Sequence, residues 1–331
     1  MKQRHSIIFI ILSLLVILLF TADLGAGSIR IPLRNVWGAL TGGECPRDQA
    51  LIVTHIRLIK GIAALLAGAA LSVSGLQMQT LFRNPLAGPY VLGISSGASL
   101  GVALFILGAP FMRLPSWVMQ FGIAGAAWIG AGAVLLVIAV AGRRIRDIMV
   151  ILILGMMFSS GVSAIVQILQ YLSRDEALKS FVIWTMGSLG EITWPQMWIL
   201  LPSVAVGLIL AIATIKPLNL LLFGEEYAAS MGLEVRRSRS LLFISTTLLA
   251  GSVTAFCGPI GFIGLAMPHV TRMIVGDSDH RILLPATILS GSAIMLVCDI
   301  ASRLLVLPIN AITALVGIPV VIAVVLRNSH R

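Results

Sequence analysis

Five histidines, three cysteines and thirteen carboxylates are the side chains of this 331-residue sequence that could bind a metal or move a proton. His5, His55, His269, His280 and His330 form no His-Glu-x-x-His motif and no i, i+4 pair, the spacing that puts two imidazoles on one helical face for zinc. Cys45, Cys257 and Cys298 lie far apart without Cys-x-x-Cys spacing, so neither a metal site nor a disulfide framework is indicated. A phosphate loop of the form G-x-x-x-x-G-K-[ST] is missing, since none of Lys60, Lys179 and Lys216 follows the required glycines. The chain therefore reads as a non-enzyme with no catalytic residue and no metal ligand, unable to hydrolyse ATP alone.

Three smaller signals remain. Asp299 lies four residues before Arg303, so the pair shares one face of a helix. An ion-coupled transporter needs an acidic group within a span. Asp299 is the one such candidate the sequence places well inside an apolar run, and its spacing to Arg303 favours a structural pair over a proton relay. His269, directly after Pro268 near the end of a span, reads as a structural histidine, and Met156 and Met157 read as fillers of packing gaps.

The elements that must position these residues follow from composition. A chain 58% hydrophobic and 11% charged, with mean hydropathy +1.02, has too little polar surface to cover a soluble globule. Lipid is its solvent. A span takes about 20 apolar residues, and the pattern predicts an all-α polytopic protein, a single transmembrane domain over 1–331. Its ten spans fall at roughly 6–25, 60–81, 91–109, 117–141, 148–171, 197–215, 240–257, 259–275, 283–304 and 312–327. Runs such as Ile7–Phe20 and Ala133–Ala141 are apolar on all sides, unlike the alternation of a membrane barrel. The first run, after Lys2 and Arg4, has a cleavable leader as its alternative reading, with Ala22–Gly27 offering small residues, although Asp23 suits a cleavage region poorly.

The net charge of +10 sits in the joints between spans rather than on one face, so nucleic acid is not the indicated partner. With the N-terminus inside, the inner joints carry Arg143, Arg144, Arg146, Lys216, Arg236, Arg237, Arg239, Arg327 and Arg331. The outer side carries Arg30, Arg34, Arg47, Arg57, Lys60, Arg113, Arg174, Lys179 and Arg303. This modest asymmetry predicts both termini in the cytoplasm.

The largest inner joint, 216–240, is divided by Gly224 and Gly232, with Glu225 and Glu226 in the first turn of a short helix, where carboxylates suit the helix dipole. Tyr227, Ala228, Ala229 and Met231 form an apolar stripe that a plain solvated connector would not need, so the joint reads as a docking element. Gly/Pro interruptions at Arg83–Pro89, Cys257–Gly264 and Leu307–Asn310 break helices at membrane depth, which is tolerable only where backbone lines a cavity or packs in protein. The first two fall in corresponding places of the two halves and hint at an internal repeat.

Several segments together resemble the FecCD family of type II ABC importer permeases, along nearly the whole chain. They are Gly68-Ala-Ala-Leu-Ser-Val-Ser-Gly, Phe82-Arg-Asn-Pro-Leu-Ala-Gly-Pro, Leu92-Gly-Ile-Ser-Ser-Gly-Ala and Trp184-Thr-Met-Gly-Ser-Leu-Gly, followed by Leu218-Asn-Leu-Leu with Gly224-Glu and Gly232-Leu. Gly258-Pro-Ile-Gly-Phe-Ile-Gly-Leu-Ala-Met-Pro-His, Asp279-His-Arg-Ile-Leu-Leu-Pro and Leu315-Val-Gly-Ile-Pro complete the set.

The resemblance implies a ten-helix permease in the bacterial inner membrane, paired as a homodimer or with a paralogous permease. It implies two ATP-binding subunits below, a periplasmic solute-binding protein above, and cargo that is a ferric siderophore or haem, with cobalamin as the alternative. ATP and Mg would be used by the partner ATPase, with no cofactor on this chain; an ion-coupled secondary transporter is the rival from another class. Residue by residue, the resemblance implies ATPase coupling by Gly224, Glu225, Glu226, Ala229, Met231, Gly232, Leu233 and Arg236. It further implies binding-protein docking by exposed cations at Arg57, Lys60 and Arg303, and a cytoplasmic gate at Asn84, Pro85 and Leu86. The chain departs from the family pattern at Ile59 and Lys60, where Pro and Arg are usual, at Val306 in place of Glu, and at Asn310-Ala311 in place of Gly-Val.

Overall fold

Proline and carboxylate positions set the helix boundaries. Asp147 accepts the Met149 N–H at 2.8 Å and opens one long helix. Asp279 accepts the Arg281 N–H at 2.9 Å and opens another. The Thr193 N–H bonds Gln196 Oε1 at 3.0 Å, with Pro195 in the first turn, where no intrahelical N–H is needed.

The computed structural model describes residues 2–27, 29–108, 116–145 and 147–329. Arg113, Arg146, Arg331 and His330, together with Ala109 at the end of the third predicted span, lie outside the described residues. In chain order the helices begin with α1 (Lys2–Gly25), α2 (Leu33–Thr41) and α3 (Arg47–Ile52), which runs through a π turn at Val53–Arg57 into α4 (Leu58–Leu81). They continue as α5 (Ile94–Ile106), α6 (Ser116–Arg144), α7 (Ile148–Leu172), α8 (Asp175–Thr185) and α9 (Trp194–Ala213). Next come the short α10 (Ile215–Leu221) and α11 (Glu225–Ser230), then α12 (Val235–Thr246), joined through a π turn to α13 (Ser252–Cys257). The last are α14 (Ile263–Val275), α15 (His280–Leu305) and α16 (Ile309–Ser329).

Six helices are long and apolar enough to span a bilayer: Gln3–Gly25, Arg47–Leu81, Ile148–Leu172, Trp194–Ala213, Val235–Cys257 and His280–Leu305. Four shorter apolar helices, Ile94–Ile106, Gly122–Ile138, Ile263–Val275 and Ile309–Val324, bring the total among the described residues to ten, the number the hydropathy pattern predicts.

Helix α4 is the axis of the bundle, buried over most of Gly61–Leu81. It can be central because its small residues let backbones touch. A Cβ at Gly75 would lie 1.6 Å from the Gly264 carbonyl oxygen of α14, and one at Gly68 would lie 2.2 Å from the Gly291 carbonyl oxygen of α15. One apolar core gathers α4, α9, α13, α14 and α15, and a second gathers α5, α6, α7 and α10 to α12. The lipid-facing side is equally plain on α1, where Ile7, Ile10, Ile11, Leu14, Ile17 and Leu18 are exposed. Met156 and Met157 also lie on an exposed face, of α7, so they are not the buried fillers expected from sequence; a helix with an open outer side leaves them no interior gap.

Candidate functional site

The residues singled out by sequence collect at the two ends of the bundle. At one end, Arg57 closes the π turn that leads into α4, and its guanidinium donates to the carbonyls of Leu24 (2.9 Å), Gly25 (2.8 Å) and Ile29. Arg57 is only 5% exposed, so the exposed cation expected there is instead a tie between α4 and the frayed end of α1. The physical reason is local: the last carbonyls of α1 have no intrahelical donors, and a guanidinium fork satisfies several at once.

Arg303 is likewise drawn inward. It donates to Asp299 Oδ2 at 2.5 Å, to Asp23 Oδ1, and to the carbonyls of Asp23 (3.0 Å) and Ala26 (3.1 Å). The expected Asp299–Arg303 pair is present as one edge of a larger cluster, with Lys60 Nζ 3.2 Å from Asp299 Oδ1. Asp299 is therefore not the one acidic group inside a span: Asp23, in α1, is fully buried beside it. Gly61 makes the room, since a Cβ there would lie 3.0 Å from Asp23 Oδ2. Arg57, Lys60 and Arg303 do share a surface, lining with Gly27, Ile29, Ile52, Ile56 and Gly190 a recess of about 340 Å³.

At the opposite end, α4 stops at Leu81 and the chain turns through Arg83, whose φ is +47°. Asn84 Oδ1 accepts the Leu86 N–H at 2.9 Å, an Asx turn that leaves Leu86 exposed. His269 Nε2 lies 2.7 Å from the Pro85 carbonyl oxygen; a carbonyl only accepts, so Nε2 carries the proton. His269 is thus structural, as its position after Pro268 suggests, and it fastens one Gly/Pro interruption to the helix that follows the other.

The 216–240 joint folds beside this turn. Gly224 has φ +103°, and a Cβ there would come within 3.3 Å of the Arg83 guanidinium. Glu225 is held by a two-pronged ion pair to Arg239 of α12, through Nε to Oε1 at 2.6 Å and a second contact from Nη2. Glu226, Ala229, Met231, Gly232 and Arg236 are exposed, and Leu233 is half-buried. The apolar stripe is not the one read from sequence, because Ala228 is fully buried and Phe223 takes its place, its ring centroid 5.3 Å from that of Tyr227 and tilted 50° to it. The six-residue α11 keeps a single inward face, and position 228 falls on it.

Several polar residues escaped the sequence reading. Gln77 is fully buried, donating to Ser245 Oγ at 3.0 Å and accepting from Thr246 Oγ1 at 3.0 Å. Gln79 donates to the Leu265 carbonyl at 3.0 Å and accepts from Arg272 at 2.8 Å. The available signal was the Gln77-Met-Gln-Thr80 run at the end of an apolar span, since polar groups there bond across helices. Among the described residues, no three His, Cys, Asp or Glu side chains converge where a metal ion could be held.

Comparison with known proteins covers the whole chain. The sequence model of the FecCD transport family matches residues 14–327. The chain is 36% identical over 339 residues to the hemin transport system permease protein HmuU of Yersinia pestis, covering 100% of this chain and 98% of that one. It is 36% identical over 335 residues to the vitamin B12 import system permease protein BtuC of Salmonella typhi, covering 99% and 98%. A metal-chelate type ABC transporter solved in an inward-facing conformation superposes with a TM-score of 0.85 at 29% identity, covering 97% of this chain and 99% of that one. PsaBC of Streptococcus pneumoniae, at 19% identity and a TM-score of 0.59 over 82% of this chain and 92% of that one, shares the fold alone.

Proposed function

The chain belongs to the FecCD transport family, as a membrane permease subunit of an ABC importer, and on that premise we propose that its cargo is an iron chelate, a ferric siderophore or haem. The chelate would be received from a periplasmic binding protein and released to the cytoplasm. The hemin permease relative supports the cargo, and the observation that carries the ATP-driven part of the reading is the juxtaposition at the Arg83 end, where an exposed ridge of Phe223, Tyr227 and Met231 lies one residue contact from the Arg83–Gly88 turn. An ATPase that grips the ridge can move the turn.

In this reading the Arg83 end faces the cytoplasm of a bacterial inner membrane, with both termini on that side. Gly224, Glu225, Glu226, Ala229, Met231, Gly232, Leu233 and Arg236 couple to one of two ATP-binding subunits, which use the ATP and Mg. Asn84, Pro85 and Leu86 shut the path, and a second permease copy, identical or paralogous, completes it. The recess of Arg57, Lys60 and Arg303 receives an acidic binding protein, whose carboxylates would compete with Asp23 and Asp299 for Lys60 and Arg303. Iron crosses still chelated; stoichiometric iron retained by the purified permease alone would overturn that point.

Vitamin B12 is the second reading, supported by its permease matching this chain at the same 36% identity as the hemin permease. The deciding experiment reconstitutes the complex and measures which of haem, a ferric siderophore and vitamin B12 stimulates ATP hydrolysis. Stimulation by vitamin B12 alone would replace the iron-chelate reading, and transport that proceeds without ATP would remove both.

Coupling has its own test. Glu226→Arg reverses an exposed charge on the ridge while leaving the Glu225–Arg239 pair in place. The variant is expected to fold and to lose substrate-stimulated ATPase activity; normal stimulation would count against the assignment.

A further inference from the structure

A chain of polar contacts, partly buried at Asn219 and buried at His280 and Thr80, connects α10, the helix just ahead of the coupling segment, to the turn that ends α4. Asn219 of α10 accepts the His280 backbone N–H at 2.9 Å with its carboxamide oxygen, which also lies 2.7 Å from His280 Nδ1. Its amide donates to Asp279 Oδ1 at 2.6 Å. A carboxamide oxygen only accepts, so in the neutral ring Nδ1 carries the proton and Nε2 presents a lone pair. That lone pair faces Thr80 Oγ1 of α4 at 2.9 Å. His280 and Thr80 are both buried.

Thr80 has one hydroxyl proton for two acceptors, His280 Nε2 and the Leu76 carbonyl at 3.0 Å. Its own carbonyl accepts the Arg83 N–H at 3.3 Å, and the neighbouring Gln79 carbonyl accepts the Asn84 N–H at 3.2 Å. The turn therefore hangs from the two residues whose side chains are fastened to α14 and α15. At the buried His280–Thr80 contact, away from water, breaking the bond leaves its partner unsatisfied, so the joined elements move together.

We propose that Asn219, His280 and Thr80 form the transmission joint of this permease. A displacement of α10 is carried through His280 to the Thr80 hydroxyl, and from the Thr80 carbonyl to the Arg83 N–H and the Arg83–Gly88 turn. The three residues touch neither chelate nor ATP; they are positioning residues, and the joint rests on the permease reading.

The test is the number of chelate molecules carried per ATP hydrolysed by the full complex in proteoliposomes, with the one of haem, ferrichrome and vitamin B12 that the wild type transports. Thr80→Val removes the hydroxyl at constant shape. It is expected to keep the wild-type rate of ATP hydrolysis and to carry about fivefold fewer chelates per ATP or worse, the size of a typical coupling energy. Thr80→Ser returns the hydroxyl and should restore the ratio. If Thr80→Val does not assemble, Asn219→Ala, at a half-buried site, must lower the same ratio. Combining the two substitutions should lower it no further than the worse single change, because both break one chain of contacts. An unchanged ratio, ATPase and transport falling in equal proportion, or effects that add would each overturn the joint. Absence of ATP-dependent uptake by the wild type would instead overturn the permease reading.

Discussion

Asp23 has no exposed surface and faces Arg303 through both its side chain and its carbonyl, while its Oδ2 has no hydrogen-bond partner among the described residues. Removing one member of a buried ion pair leaves an uncompensated charge, so Asp23→Ala is expected to destabilise the detergent-solubilised protein by about 3–5 kcal/mol. Asp23→Asn, which keeps an acceptor, should cost less. Equal melting temperatures for Asp23→Ala and wild type would show that the cluster is solvated. Arg57→Lys tests the same end differently, because an ammonium cannot reproduce a planar fork across three carbonyls; a loss of about 1–3 kcal/mol is expected. These anchors also decide how docking should be probed. Charge reversal at Arg57 or Arg303 would disturb folding together with binding, whereas Lys60→Gln is the cleaner change. It should weaken binding-protein capture and flatten its salt dependence, and an unaltered salt series would sink the docking role.

Between elements, contact distance is the governing quantity. Gly75→Ala would place a methyl 1.6 Å from the Gly264 carbonyl oxygen, which is backbone and cannot rotate away. α4 and α14 must separate, and expression as a folded, monodisperse protein should be lost, whereas Gly132→Ala, with open space around it, should be silent. The start of α15 offers a pH test. Burial pushes the Asp279 carboxyl up, but the Arg281 N–H, the Asn219 amide and the charge of Arg281 outweigh it and hold it below the usual carboxylate range. A depressed carboxylate contributes stability that is fully present above its unfolded value of about 3.9 and is lost as pH falls through the lower folded value. The protection factor of the Arg281 amide, its exchange referenced to the intrinsic rate at the same pH, should therefore fall on acidification below that range, and Asp279→Asn should remove that dependence; a protection factor that stays constant with pH would contradict the cap.

For the whole molecule, the membrane-spanning fold was legible because hydropathy is additive along the chain. Ten apolar runs are ten helices wherever they pack, and the Gly/Pro interruptions mark their ends whatever surrounds them. Asp299 and Arg303 were legible as a pair for the same local reason, a four-residue spacing on one helix. The missed residues are those whose partners are distant in sequence: Asp23 meets Arg303 across 280 positions, and Thr80 meets His280 across 200. No local pattern encodes such a meeting. The exposure of Arg57 was misjudged because one residue number says nothing of the carbonyls that α1 brings to it, and Ala228 was placed outside because a six-residue helix gives too few turns to phase. By itself the sequence determined an all-helical membrane chain with three Gly/Pro interruptions and a polar joint over 216–240. Only the tertiary structure decided which polar groups share a buried bond, since in lipid each such group must find a partner and only packing selects which one.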